Sequence, residues 1–302
     1  MSLHEVVPGV HAWVQPDGTW WLNNAGVVAD GGQVLLVDTC ATETRTRRFL
    51  AAVEQATGGG AVRLAVNTHQ HGDHSYGNSL LPATTVIVGH EHMREGLRVD
   101  PVIDGCPPLW QPVPDWGAVT RRLPDVTVRD RLTIHVGQRR VDVAHPGGPA
   151  HTTGDLVAWL PRERVLFAGD LVFNGLTPLV FMGSVAGAAA ALDWLAEFEP
   201  AHLVPGHGPL LTAAEITPVF DAIRRYLRLV RDTAEAGLRA GLTPLEAARG
   251  CDLGEFAGWA DAERIVPNLH RAYADALGTD VDVVAALTDA VTWRGAPMAT
   301  KV

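Results

Sequence analysis

The chain has 302 residues, 47% hydrophobic and 19% charged, enough apolar material for a substantial core and too much for a disordered chain. Its 34 acidic residues outnumber 24 basic ones, and a net charge of −10 argues against a general nucleic-acid binder, which needs a basic footprint. Three scattered cysteines (Cys40, Cys106, Cys251) make no disulfide framework, no apolar run reaches the length of a membrane span, and the start MSLHEVVPGV lacks the regions of a secretory signal. We therefore expect a cytoplasmic protein without membrane or nucleic-acid partners. Lysine occurs only at Lys301, so a phosphate handle on a substrate would have to be held by arginines or backbone amides.

Val10–Gln15, Ala25–Ala29 and Gln33–Asp38 read as strands, the last two joined by the turn Asp30-Gly31-Gly32. Glu43–Thr57 spaces Phe49, Leu50, Val53 and Ala56 as a helix does, and Gly58-Gly59-Gly60 stops it. Val62–Asn67 and Thr84–Gly89 are further strands. The order strand–strand–strand–helix–strand predicts a layered α/β domain.

Residues 99–124 hold Pro101, Pro107, Pro108, Pro112, Pro114 and Pro124 with Trp110 and Trp116, which predicts an ordered loop or lid. Strands follow at Val126–Val136, Arg139–Ala144, Leu156–Leu160, Arg164–Ala168 and His202–Val204, with a helix at Ser184–Phe198 capped by Ser184. From Thr212 the texture is helical. Ile216, Phe220, Ile223, Leu227 and Val230 make one apolar face, and further helices are expected at Pro244–Arg249, Ala262–Leu277 and Val281–Trp293. The boundaries drawn are 1–210 for an α/β domain and 211–302 for a helical extension, which could cap a pocket, pair two copies in a homo-oligomer or dock a carrier protein.

The chemistry concentrates at T-H-Q-H-G-D-H. His69, His71, Asp73 and His74 stand directly after an apolar strand, and thirteen histidines in 302 residues make that density improbable by chance. Imidazole and carboxylate are ligands that Zn²⁺ takes, and a catalytic zinc needs more of them than one turn supplies. His151 in P-A-H-T-T-G-D, Asp170 in F-A-G-D and His207 in P-G-H-G each follow a short apolar strand or a glycine turn and are the candidates. His4, His11, His90, His92, His135, His202 and His270 read as surface or capping residues. His145 lies near the expected site, and Cys40 reads as a small buried hydrophobe.

Taken in order, His69-x-His71-x-Asp73-His74, His151, Asp170 and His207 resemble the metallo-β-lactamase superfamily over roughly residues 6–210. The resemblance implies an αββα sandwich with two Zn²⁺ per chain at the sheet edge. It implies that His69, His71 and His151 hold one ion, that Asp73, His74 and His207 hold the other, and that Asp170 bridges them. Asp38 matches an aspartate that supports the site from behind the ligands. Flavodiiron relatives carry Glu where His71 stands, and the cysteine-ligand penicillin-degrading branch carries Cys at the position of Asp170. An aspartate bridge resembles glyoxalase II and other thioesterase-like hydrolases, with Asp73 and Asp170 as the catalytic carboxylates.

A narrower similarity, to cyclase/thioesterases of bacterial aromatic polyketide pathways, rests on Trp20-Trp21, the Trp110–Trp116 insertion, N-G-L-T-P-L-V-F-M-G-S-V-A-G at 174–187 and W-A-D-A-E-R-I-V-P-N-L-H-R-A-Y-A-D at 259–275. It implies a small-molecule or acyl-carrier thioester substrate. Trp20, Trp21, Trp110, Trp116, Phe173 and Phe181 are the candidate walls for a flat apolar group. A lactonase, a β-lactamase-type or glyoxalase II-like hydrolase of a small substrate, and a non-enzymatic metal scaffold are the competing readings.

Overall fold

The computed structural model describes residues 2–15 and 17–302. Two sheets form the centre. The first has the strand order β1 (Ser2–Val7), β2 (Val10–Val14), β3 (Ala25–Asp30), β4 (Gln33–Val37), β5 (Ala61–Val66), β6 (Val86–His90) and β8 (Val126–Val128). The second has the order β14 (Leu211–Thr212), β13 (His202–His207), β12 (Val165–Phe173), β11 (Val157–Leu160), β10 (Arg139–Ala144) and β9 (Arg131–Val136). A two-residue strand β7 (Trp110–Gln111) pairs in parallel with β15 (Met298–Ala299).

Side-chain alternation on the strands builds the layers. On β4, Leu35 and Val37 face the second sheet, where they meet Val143, Leu160, Val165 and Phe167. Val34 and Leu36 face outward, onto Phe49 and Val53 of α1 (Glu43–Thr57). Gly26 of β3 takes part in this packing, because a Cβ there would lie 2.4 Å from the Phe167 ring. The far face of the second sheet, through Leu166, Ala168, Val172 and Leu203, is covered by helices. These are α4 (Val185–Ala196), α5 (Ala213–Ala240) and α7 (Ile265–Leu277), beside α6 (Pro244–Gly250) and α8 (Val283–Arg294). The result is the αββα arrangement with a helical C-terminal region.

Local chemistry sets most boundaries where the sequence places them. Gly58 ends α1 in the left-handed conformation, Ser184 caps α4, and Thr243 with Glu246 forms a capping box on α6. Several features differ from expectation. Strand β1 and the helices α2 (Gly72–Ser75) and α3 (Glu91–Val99) are additional. The run Val126–Val136 is two strands, not one: the chain bends at Arg129-Asp130 and crosses from the first sheet to the second. Strand β12 continues past Ala168 to Phe173, buried along its whole length. The α7 segment opens with a single 3-10 turn at Ala262–Arg264.

The proline-rich stretch is ordered by the other end of the chain. Met298 N–H donates to Leu109 O at 2.8 Å, and Thr300 Oγ1 donates to Trp20 O at 2.8 Å. Trp20, Trp110 and Trp116 are buried in the contact so formed.

Candidate metal centre

All seven expected side chains converge at one end of the sandwich. His69 and His71 leave the end of β5, and α2 turns Asp73 and His74 back toward them. His151 comes from the loop between β10 and β11, Asp170 from within β12, and His207 from the last position of β13. Gly206 is needed for this convergence: a Cβ there would lie 1.9 Å from Asp170 Oδ1.

Three imidazole nitrogens form a near-equilateral triangle. His69 Nε2 and His71 Nδ1 are 3.0 Å apart, His151 Nε2 is 3.2 Å from the former and 2.9 Å from the latter. Nitrogens bound to one tetrahedral zinc at about 2.0–2.1 Å would be about 3.3 Å apart. The Asp170 carboxylate lies beside the triangle, Oδ2 being 3.3 Å from His151 Nε2. On its other side Oδ2 is 3.3 Å from His207 Nε2, and Oδ1 is 3.1 Å from His74 Nε2. Asp73 Oδ2 is 3.2 Å from His207 Nε2 and 3.7 Å from His74 Nε2. Thus His69, His71, His151 and Asp170 make one group able to hold a metal ion, and Asp73, His74 and His207 a second.

The outer nitrogens fix the direction of the inner ones. His74 Nδ1 is 2.8 Å from Asp38 Oδ2, His207 Nδ1 donates to Gly18 O at 2.7 Å, and His151 Nδ1 donates to Leu179 O. With those N–H groups engaged, the Nε2 atoms of His151 and His207 face the centre. His74 Nε2 and Asp170 Oδ1 are buried and face each other at 3.1 Å without a hydrogen bond of good geometry, which buried polar atoms usually have. A cation among these donors would satisfy both, so the residues present fit a metal.

Electrostatics separate the two groups. Burial pushes the His151 imidazole down to about 3, and burial likewise lowers His69 and His71, so all three are neutral as ligands must be. Burial also opposes charge on His207 and His74, but adjacent carboxylates outweigh it, holding His207 at about 9 and His74 well above the ordinary histidine range. Burial would raise Asp73, yet His74 and His207 hold it at about 2, and Asp170 is kept well below the usual carboxylate range by the same kind of neighbours.

The aromatic residues divide. Phe173 lies parallel to the His207 ring at 5.2 Å and Phe181 stacks on His71 at 6.0 Å. Trp21 has edge contacts with Trp110 and Trp116 at 5.2 and 4.8 Å, and Trp20 with Trp110 at 5.6 Å. The four tryptophans thus form one packed group, with Trp21 between Trp110 and Trp116. The groove beside the candidate ligands, about 790 Å³, is lined instead by Phe181 and Met182, α3 residues including Gly96 and Val99, and Val281 and Val283. None of the seven side chains lines this groove; Met182, whose Sδ is 3.1 Å from His71 Nε2, stands between the two.

Sequence reasoning passed over Asp155. Its carboxylate accepts from Thr152 N–H and Oγ1–H and closes the turn that carries His151, and burial pushes it up to about 7. The spacing T-T-G-D behind His151 is the signal for that turn. Cys40 is fully buried, as expected, and burial pushes its thiol up to about 12.

The sequence pattern of the Metallo-beta-lactamase superfamily matches residues 18–207, a span carrying every one of these seven side chains. The chain belongs to the metallo-beta-lactamase superfamily. Among solved structures similar to this superfamily member is a metallo-beta-lactamase from Pontibacter korlensis, with TM-score 0.60 and 19% identity, covering 75% of this chain and 98% of that one. Curated relatives include the 2,4-dinitroanisole O-demethylase subunit alpha of Nocardioides sp. (strain JS1661), 26% identical over 55% of this chain and 45% of its own length. The acyl-coenzyme A thioesterase MBLAC2 of Bos taurus is 31% identical over 37% of this chain and 42% of its own. The match spans less than half the length of these curated relatives.

Proposed function

We propose that the protein is a dinuclear-zinc hydrolase of an acyl thioester, with an aromatic polyketide intermediate as the acyl group and ring closure accompanying hydrolysis. The observation that carries the hydrolase reading is the position of Asp170, whose two buried oxygens face His74, His151 and His207 between the two ligand groups. Residues 1–210 would carry the chemistry and residues 211–302 would brace it.

His69, His71, His151 and Asp170 would hold one ion, and Asp73, His74 and His207 with Asp170 the second. Two zinc ions held there would supply Lewis acidity toward a carbonyl and bring the pKa of a water to about 7. Asp73 and Asp170, both ionised at neutral pH, would be the carboxylates that orient a water. Phe181 and Met182 keep bulk water from the His71 side. A thiolate leaves without protonation, so the reaction needs no separate general acid.

The groove favours an acyl group of low charge. Its walls near the ligands are Phe181, Met182 and Pro149, and its rim arginines are already paired, Arg98 with Glu95 at 2.8 Å and Arg271 with Asp275 at 2.9 Å. Asp280 adds a further negative charge to the lining. The relatives support the thioesterase reading in part: one is an acyl-coenzyme A thioesterase and another a 2,4-dinitroanisole O-demethylase subunit. The test is turnover of a panel by the metal-loaded protein: an aromatic polyketide thioester mimic, a glutathione thioester, a lactone and a β-lactam. Preference for the first supports the proposal. Preference for the lactone or β-lactam replaces the substrate, and chelator-resistant turnover removes the mechanism.

A further inference from the structure

The run 259–275 lies outside the span that matches the superfamily, yet it grips the loop between Phe173 and α4. Thr177 N–H donates to Ala260 O at 3.0 Å, and Arg264 Nη1 donates to Thr177 O at 2.9 Å. Asn268 Nδ2 donates to Pro178 O at 2.8 Å, and Asn268 Oδ1 accepts from Val180 N–H at 2.9 Å. Asp275 Oδ2 accepts from Val185 N–H at 3.1 Å. The two Asn268 bonds therefore fall immediately before and immediately after Leu179. The carbonyl of Leu179 is the group that accepts from His151 Nδ1.

We infer that Asn268 is a positioning residue for His151. Its primary amide has a donor and an acceptor at fixed separation, so it can hold a carbonyl and an N–H two residues apart and leave the peptide between them one orientation. That orientation aims the Leu179 carbonyl at His151 Nδ1, which sets the tautomer and points Nε2 at His69 and His71. Asn268 is itself fully buried and held by Tyr226, whose hydroxyl accepts from Nδ2 at 3.0 Å. Alanine would leave the 178–180 segment without either bond. Aspartate would keep the acceptor for Val180 but face the Pro178 carbonyl with a second acceptor. Asn268 would thus act on the site through a backbone carbonyl, without touching substrate.

The inference rests on the reading of His151 as a metal ligand. The experiment is titration of the full-length, metal-stripped protein with Zn²⁺ and separately with Co²⁺, following affinity by chelator competition and the Co²⁺ visible absorption, with thermal melting of the stripped protein alongside. Asn268→Ala should weaken the ion bound by the His151 group roughly tenfold and change its cobalt spectrum. Tyr226→Phe, which removes only the support behind Asn268, should keep the wild-type spectrum while lowering the melting temperature. Should Asn268→Ala not fold, Asn268→Asp gives the same reading. Wild-type affinity and spectrum in a folded Asn268 variant with a lowered melting temperature would make the residue merely structural and overturn the inference. Wild-type protein that takes up no metal would instead overturn the metal-centre reading itself.

Discussion

Asp38 Oδ2 lies 2.8 Å from His74 Nδ1, and both groups are buried. The carboxylate also accepts from Thr68 N–H and Thr68 Oγ1–H at 2.7 Å, so it is anchored before it meets the imidazole. Asp38 sits at φ +63, a left-handed conformation that asparagine tolerates as well as aspartate. Asp38→Asn should therefore fold, but with a neutral partner behind His74. Metal affinity should fall about 10–100-fold, read by chelator competition. Unchanged affinity would show that the pair supports the fold alone.

Removal of metal should abolish turnover, and two equivalents of Zn²⁺ per chain should restore it. Asp170→Ala should cost activity roughly a hundredfold or more, because it takes the shared carboxylate from both ligand groups. Metal analysis after dialysis should show fewer than two ions in that variant. A full complement of two ions would place the bridge elsewhere.

The buried tryptophans and the groove should respond differently to substitution. Trp110→Ala removes a 3%-exposed ring from the packing with Trp20 and Trp21, and should cost about 3–5 kcal/mol in denaturant unfolding. Val99→Trp changes a residue that is 61% exposed at the groove, so stability should move by no more than about 0.5 kcal/mol. It should instead lower kcat/KM for a bulky aromatic thioester roughly tenfold, about 1.4 kcal/mol, with little effect on an acetyl thioester. Equal loss on both substrates would remove the groove as the acyl site.

His90 carries a pH dependence away from the metal ligands. Its Nε2 donates to Arg129 O at 3.1 Å, its Nδ1 accepts from His92 N–H at 3.2 Å, and its ring stacks on His145 at 4.4 Å. Burial, then the neighbouring His145 and His92, hold it down at about 4. The unfolded chain binds this proton first, so the contribution is complete above about pH 6.5 and is lost as pH falls toward about 4. His90→Asn keeps the cap acceptor and removes the titration. Urea unfolding from pH 7.5 to 4 should show a shallower loss in the variant, and parallel curves would refute the assignment.

The convergence of the seven histidines and aspartates was legible because these residues are rare, dense and placed directly after apolar strands. The strand–helix order was legible because alternation and helical spacing are local properties. What escaped was set by distant contacts. Arg264 and Asn268 fall inside the helix expected at Ala262–Leu277 with nothing local to single them out, yet Arg264 is a fully buried side chain whose guanidinium lies 4.5 Å from the Trp20 ring. Their partners lie 87 to 90 positions away, and no periodicity reports that. The bend at Arg129-Asp130 escaped for a related reason: a β-branched run reads as continuous whether or not it changes sheets. Asp155 had a local signal, but its use depends on how His151 is turned.

Thr300 reaches Trp20 across 280 positions of chain, and β15 reaches β7 across nearly two hundred. Contacts so remote in sequence are slow to find, because loop closure must precede any gain from them. The wall of indole rings should accordingly be the last part of the molecule to mature after dilution from denaturant. Far-ultraviolet ellipticity should recover first and tryptophan emission later, so a refolded preparation can regain its secondary structure well before its tryptophan packing is complete.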